Sequence, residues 1–186
     1  MKHLKTLHFD YYQKDWFGRQ WDINGFVRSL ANAVGSTLET LVLTDGYIFT
    51  GSHLISWHMH GSKVLKHMEL STVFFTNGRK SAGESNDDEF DHLNPGYVVR
   101  PLFKLLPPSL ESFKLDVLSS HLETVKQLFR GFQKNRTESL PRLTMVELHV
   151  RTWDPWNQEF PNKDAQATAI KAFADSIGLT TVIRTY

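Results

Sequence analysis

The chain has 186 residues, of which 40% are apolar and 12% aromatic, enough for one domain with a sizeable core. Its 21 basic and 20 acidic side chains nearly cancel, which argues against nucleic acid or an anionic membrane as a partner. It contains no cysteine, so disulfides and thiolate metal sites within the chain are excluded. We expect a single domain over residues 1–186, with no leader or membrane span and with a cytoplasmic or nuclear location.

One apolar pattern, Leu-x-x-Leu-x-Leu, recurs six times. Alternate residues of a strand point to the same side, and the intervening residues here are mostly polar, so each copy predicts a short strand with one buried and one wet face. Such repetition is typical of a solenoid, in which each unit buries its apolar face against its neighbours. The copies are Leu4, Leu7, Phe9; Leu38, Leu41, Leu43; Leu65, Met68, Leu70; Leu110, Phe113, Leu115; Leu143, Val146, Leu148; and, decayed, Leu179, Val182.

Amphipathic segments lie between these strands and predict helices. Glycine and proline mark most of their ends. A polar insertion is expected at about 76–96. The predicted helices are Ile23–Val34, ended by Gly35; a short helix within 52–61; 97–106, ended by Pro107 and Pro108; 120–134; and a last helix from Asp164 as N-cap to Ile177, ended by Gly178.

Alternating strands and helices suit two architectures. A doubly wound parallel sheet has helices on both faces, and its strands are near-continuous apolar runs. Segments 65–70 and 110–115 alternate strictly instead, and no glycine-rich phosphate loop occurs. We therefore predict an α/β fold of about six parallel strands, arranged as a one-sided solenoid with helices on the convex side.

Segments 38–43 (Leu-Glu-Thr-Leu-Val-Leu), 65–70 (Leu-Lys-His-Met-Glu-Leu), 107–113 (Pro-Pro-Ser-Leu-Glu-Ser-Phe) and 140–148 (Leu-Pro-Arg-Leu-Thr-Met-Val-Glu-Leu) resemble the irregular leucine-rich repeats that follow the F-box in many fungal F-box proteins. The resemblance spans nearly the whole chain, although most repeats exceed the standard length of roughly 20–29 residues. It implies a leucine-rich-repeat-like domain that recognises substrates for a ubiquitin ligase. No F-box precedes the first strand, so cullin ligase subunits are expected as partners only through that missing module.

The outward residues of such a sheet form a concave surface, which is the usual contact site of solenoids. We expect a protein partner to bind there. The candidate partner-binding residues are Thr6, His8, Thr40, Val42, His67, Glu69, Ser112, Lys114, Met145, Glu147 and His149. The same face is predicted to carry Asp10, Thr44, Ser71, Asp116, Arg151, Thr181, Ile183 and Thr185.

Two sets of histidines could be read as metal ligands, because neutral imidazole binds metals. Neither set has the accompanying carboxylates of a familiar site, and we expect solvated side chains and no metal. The acidic tract 84–92 likewise lacks the ligand spacing of a calcium loop. The histidines are His8, His67 and His149 on separate strands, and His53, His58 and His60 in one connection.

The aromatic-rich connections, 11–21 and 153–160, could plug the core or anchor an interface. No G-x-S-x-G or H-E-x-x-H motif occurs. We predict a non-enzymatic module without cofactors. Two alternatives stay open: a small hydrolase-like enzyme with an unrecognised site, and a vestigial or fragmentary repeat protein without a specific partner. A histidine beside a serine or carboxylate in a deep pocket would favour the enzyme.

Overall fold

The computed structural model describes residues 3–11, 23–45, 62–75, 99–152 and 163–184. Six strands and four α-helices lie in these ranges. The strands are β1 Thr6–Tyr11, β2 Thr40–Asp45, β3 His67–Ser71, β4 Ser112–Leu118, β5 Met145–Arg151 and β6 Thr180–Arg184. The helices are α1 Ile23–Val34, α2 Leu122–Leu128, α3 Phe132–Ser139 and α4 Lys163–Ser176, and short 3₁₀ helices occupy Thr72–Phe75, Leu102–Lys104 and Ser119–His121.

The six strands form one sheet in sequential order, β1-β2-β3-β4-β5-β6, and every neighbouring pair is parallel. A doubly wound sheet must reverse its strand order at a switch point, and this order never reverses. The α/β fold with six parallel strands is therefore confirmed, and the doubly wound alternative does not fit the described strands.

The apolar residues of the repeated pattern line the face of the sheet that the helices cover. Leu41, Phe113 and Leu148 are fully buried, and they belong to one hydrophobic cluster with Val125 of α2 and Ile170 of α4. Burying a large apolar side chain stabilises a fold by about 1.5–3 kcal/mol. This helix-covered side is the core, and it leaves the opposite face of the sheet for other contacts.

Strands β2 to β5 begin with the same backbone hydrogen-bond pattern, so the repeat is also present in the backbone. Just before each new strand, one carbonyl of the preceding unit accepts two consecutive N–H groups: the carbonyl of Lys5 from 39 and 40, that of Glu39 from 66 and 67, that of Lys66 from 111 and 112, and that of Glu111 from 144 and 145. At the last strand Leu179 donates to Ala174 instead. The start of β6 therefore departs from the pattern shared by the four strands before it.

Two predicted helices differ from the structure. Segment 97–106 was expected to be helical, but the described part holds only the 3₁₀ turn Leu102–Lys104, because Pro101 is extended, with φ −58° and ψ 140°, and restricts the residue before it. Segment 120–134 is divided. Its first helix ends at Leu128, Gly131 takes the left-handed φ of 71°, and a second helix starts at Phe132.

The other helical predictions have mixed outcomes. Helix α1 has the predicted bounds, and α4 ends before Gly178, whose φ is 69°. Asp164 lies inside the first turn of α4, so its prediction as the N-cap is wrong. The short helix within 52–61, the insertion at 76–96 and most of the two aromatic-rich connections lie outside the described residues. Among the described helices, none has the length and apolar content needed to cross a membrane.

Candidate binding face of the sheet

The face opposite the helices, here called the polar face, carries residues from all six strands in rows that cross the sheet. Strand register aligns each row residue by residue. The first row is Thr6, Thr40, His67, Ser112 and Met145; the second row is His8, Val42, Glu69, Lys114, Glu147 and Thr180; the third row includes Ser71, Asp116, His149 and Val182. Ten of the eleven candidate residues therefore lie in the first two rows.

The first row contains no carboxylate, lysine or arginine and is accessible to solvent. Thr6 and His67 are exposed, Thr40 and Ser112 are half-buried, and Met145 keeps 45% of its surface exposed. The His67 ring nitrogen Nδ1 lies 2.7 Å from the Ser112 hydroxyl, which joins the neighbouring strands β3 and β4. This row can offer hydroxyl and imidazole groups together with one apolar side chain.

The second row alternates in charge across its central strands. Lys114 Nζ lies 2.9 Å from Glu69 Oε2, and Glu147 Oε2 lies 3.1 Å from His149 Nε2. The side chains of Glu69, Lys114 and Glu147 are 25%, 26% and 29% exposed. Partly buried ion pairs are screened less than fully exposed ones. These contacts hold the charges of the second row in fixed positions while leaving them within reach of a partner.

Two members of the third row are more buried than the sequence suggested. Ser71 is fully buried and His149 is only 7% exposed, so their prediction as open contact residues is corrected here. Arg151 Nη2 lies 2.9 Å from Asp116 Oδ2. Burial raises the pKa of the Asp116 carboxyl above its usual value, and the positive charge of Arg151 opposes this shift only in part.

The face assignment of β6 was wrong by one residue. Glu147 pairs with Thr180 and His149 with Val182, so Thr180, Val182 and Arg184 lie on the polar face. Thr181 and Ile183 were predicted there and instead lie on the opposite side, whereas Thr185 is outside the described residues. A slip of one residue reverses every side chain of a strand. Four consecutive β-branched residues, 180–183, hide the alternation that would have fixed the register.

A histidine and a hydroxyl meet at the carboxyl end of the strands, which the sequence did not indicate. Thr72 Oγ1 lies 2.9 Å from His121 Nδ1 and accepts a hydrogen bond from the Leu118 amide at 3.3 Å. Burial and the nearby charge of Arg151 lower the pKa of His121 to about 4. Thr72 is fully buried, so this pair cannot present its hydroxyl to a substrate as a nucleophile beside a base would.

The strand histidines are separated by the fold. His8, His67 and His149 lie in different rows of β1, β3 and β5, and His53, His58 and His60 are outside the described residues. Within the described ranges, no three His, Asp or Glu side chains come together in a group that could hold a metal ion.

The chain was compared with protein-family models, with curated protein sequences and with solved structures. None of the three comparisons finds a match.

Proposed function

We propose that this chain is a protein-recognition domain of leucine-rich-repeat type that binds a protein partner through the first two rows of its polar face. The observation that carries the proposal is the continuity of these rows from β1 to β5, with β6 extending the second. With strands about 4.8 Å apart, six strands span roughly 24 Å. A surface of that width suits a folded domain or an extended segment of a partner better than a small molecule.

The repeated backbone supports the solenoid part of the proposal. Four successive strand starts use the same double hydrogen bond to one carbonyl, as expected when each unit stacks on the one before it. Packed helices are 8–10 Å apart, whereas strands are about 4.8 Å apart. A sheet with helices on one side only should therefore curve away from them, which makes the polar face the concave one.

The charges of the second row supply specificity. Glu69 and Lys114 are held by their ion pair before a partner arrives, so less side-chain freedom is lost on binding. A face with both signs of charge rejects partners whose charges do not match its pattern. Through the resemblance to F-box proteins, we propose a substrate of a ubiquitin ligase in the cytoplasm or nucleus as the partner, with cullin ligase subunits recruited through a separate module.

A charge exchange tests the proposal without breaking the ion pair. In Glu69→Lys/Lys114→Glu both members of the pair remain and the net charge is unchanged, while the order of charges across positions 69, 114 and 147 changes from negative, positive, negative to positive, negative, negative. The matched control is Lys171→Asp/Asp175→Lys on α4, where an exposed pair at i and i+4 is exchanged in the same way. Tagged wild-type and variant chains are used to capture proteins from the source cells, and the captured proteins are quantified by mass spectrometry.

The expected result is a protein captured by the wild-type chain and by the α4 control, but reduced at least about tenfold with the second-row exchange. Circular dichroism and thermal melting check that both variants are folded. Equal capture by all three chains would place binding elsewhere on the molecule. Equal loss of capture in both variants would show that capture is sensitive to the exchange of any surface ion pair and does not depend on the polar face in particular.

A further inference from the structure

The last described strand exposes one large apolar side chain on each of its sides. Among the described residues only three large apolar side chains are exposed: Met145 at 45%, Val182 at 37% and Ile183 at 42%. Val182 and Ile183 are consecutive in β6, so one points to the polar face and the other to the helix-covered face. Since β6 is at the end of the strand order, two of the three exposed apolar groups lie at one edge of the sheet that no other described strand covers.

The backbone at this edge has hydrogen-bonding groups that point away from the sheet. The carbonyl of Arg184 accepts a hydrogen bond from the Thr152 amide at 3.3 Å, so Arg184 faces β5. In a parallel pair, alternate residues direct both backbone groups to the same neighbour. The N–H and C=O groups of Thr181 and Ile183 therefore point outward, giving two donors and two acceptors along the open edge.

The two edges of the sheet differ in how they are protected. Edge strands usually carry charged side chains that discourage pairing with another chain. β1 has Asp10 within it, with Lys5 just before it. β6 also has one charged residue, Arg184, but at its last position, and the residues from Thr180 to Ile183 are all uncharged and β-branched, types that favour strand pairing.

We propose that the edge strand β6 pairs with β6 of a second copy of this chain, antiparallel, about a two-fold axis at Val182. This register places Thr181 opposite Ile183 of the second copy, where each pair exchanges two backbone hydrogen bonds. The two copies thus form four such bonds, and they use the groups that point away from β5. Val182 meets its own counterpart at the intervening non-hydrogen-bonded position, and Thr180 lies opposite Arg184, so no like charges meet.

Pairing β6 with β6 of a second copy fits the structure better than pairing β6 with β1 of a second copy. Pairing β6 with β1 of another copy would leave a β1 and a β6 still open, and such head-to-tail contacts build chains rather than closed dimers. The two-fold arrangement uses both open β6 edges at once. It also leaves the first row of the polar face free, because its last member, Met145, precedes the part of β5 that pairs with β6.

Cysteine cross-linking provides the first test, and it is unambiguous because the chain has no cysteine of its own. Opposed residues at a non-hydrogen-bonded antiparallel position have Cα atoms about 4.5 Å apart, within the range of a disulfide. Val182→Cys should therefore form a disulfide-linked dimer under mild oxidation. Met145→Cys is the control, because it is similarly exposed but is not on the edge strand.

Sedimentation of the cysteine-free chain tests the same pairing without a cross-link. We expect a concentration-dependent monomer–dimer equilibrium. Val182→Lys, which brings two positive charges together on the axis, and Ile183→Pro, which removes an outward N–H, should each raise the dimer dissociation constant at least about tenfold. Met145→Lys should leave it unchanged.

Efficient cross-linking of the Val182 variant alone, together with loss of the dimer in the Val182→Lys and Ile183→Pro variants, would support the two-fold pairing. Equal cross-linking of both cysteine variants would indicate random collision and overturn it. A monomer at every concentration would also overturn it. A ladder of species larger than the dimer would instead indicate head-to-tail association of β6 with β1.

Discussion

The buried polar contact between His121 and Thr72 makes the stability of the fold depend on pH in a defined window. The Leu118 amide donates to the Thr72 hydroxyl, so the hydroxyl proton is free to be donated to His121 Nδ1 at 2.9 Å. A neutral ring with its proton on Nε2 can accept this hydrogen bond. Protonating the ring would place a positive charge in a half-buried position near Arg151, and burial together with this nearby charge lowers the pKa of His121 to about 4.

The size of the effect follows from the difference between the folded and unfolded pKa values. Below pH 6.5 the unfolded chain takes up a proton at His121, whereas the folded chain does so only near pH 4. The folded state therefore loses stability as the pH falls through this window, by about 1.4 kcal/mol per pH unit and about 3 kcal/mol in total. Above pH 6.5 the residue is neutral in both states and adds no pH dependence.

The variant His121→Asn isolates this contribution, because the amide oxygen can still accept the Thr72 proton but does not titrate. The assay is urea unfolding followed by circular dichroism at intervals between pH 7.5 and pH 4, with the free energy of unfolding compared between wild type and variant. We expect the difference in the free energy of unfolding, wild type minus variant, to fall by about 3 kcal/mol as the pH is lowered from 7.5 to 4. Val150→Ala, a destabilising change without a titrating group, controls for general loss of stability. Parallel curves for wild type and His121→Asn would refute the reasoning.

Three further predictions concern stability and charge. Leu41→Ala should lower the free energy of unfolding by about 2–5 kcal/mol, because it leaves a cavity at a fully buried position; chemical unfolding that detects no loss would contradict the strand register. Gly131→Ala and Gly178→Ala should each lower the free energy of unfolding by about 1 kcal/mol, because both glycines have positive φ. The loss should be greater at Gly131, where an added Cβ atom would also lie 3.3 Å from the Asn135 side chain. Thermal melting ranks the two variants, and equal melting temperatures would contradict the effect of this close contact. Hydrogen bonds and positive charge from Lys5 and Lys66 lower the pKa of Glu39 below 4.5. Lys66→Met should raise the pKa of Glu39 in an NMR titration, and an unchanged pKa would show that Lys66 has no influence on it.

Much of the fold could be predicted because its signals are local. Strict alternation of apolar and polar residues at Leu41 and Leu43, or at Phe113 and Leu115, fixes which side of the strand is buried. Helix α1 was predicted with its bounds because its apolar spacing and its terminal glycine agree. The prediction of which β6 residues face the polar side failed, because Leu179 can occupy either of two positions in the repeated pattern when the following residues are all β-branched.

Other features depend on tertiary structure and leave little trace in the sequence. The apolar spacing runs from Leu128 through Phe132 without a gap, so the left-handed turn at Gly131 was not distinguished from a glycine inside a helix. Membership of the polar face followed from alternation, but the burial of Ser71 and His149 on that face did not. The contact between His121 and its threonine joins residues 49 positions apart, and such pairs cannot be recognised from spacing along one chain.

The sequential order of the strands has a consequence for how the chain is made. Each of the six described strands pairs with the described strands that precede and follow it in the sequence and with no other, so β1 and β2 can pair as soon as residue 45 has emerged from the ribosome. Every later unit then adds to an edge that already exists, although each addition must wait for a connection much longer than a hairpin. The growing sheet therefore always presents its newest strand as an open edge. A pause in translation would prolong that exposure, and only the arrival of the next unit would end it.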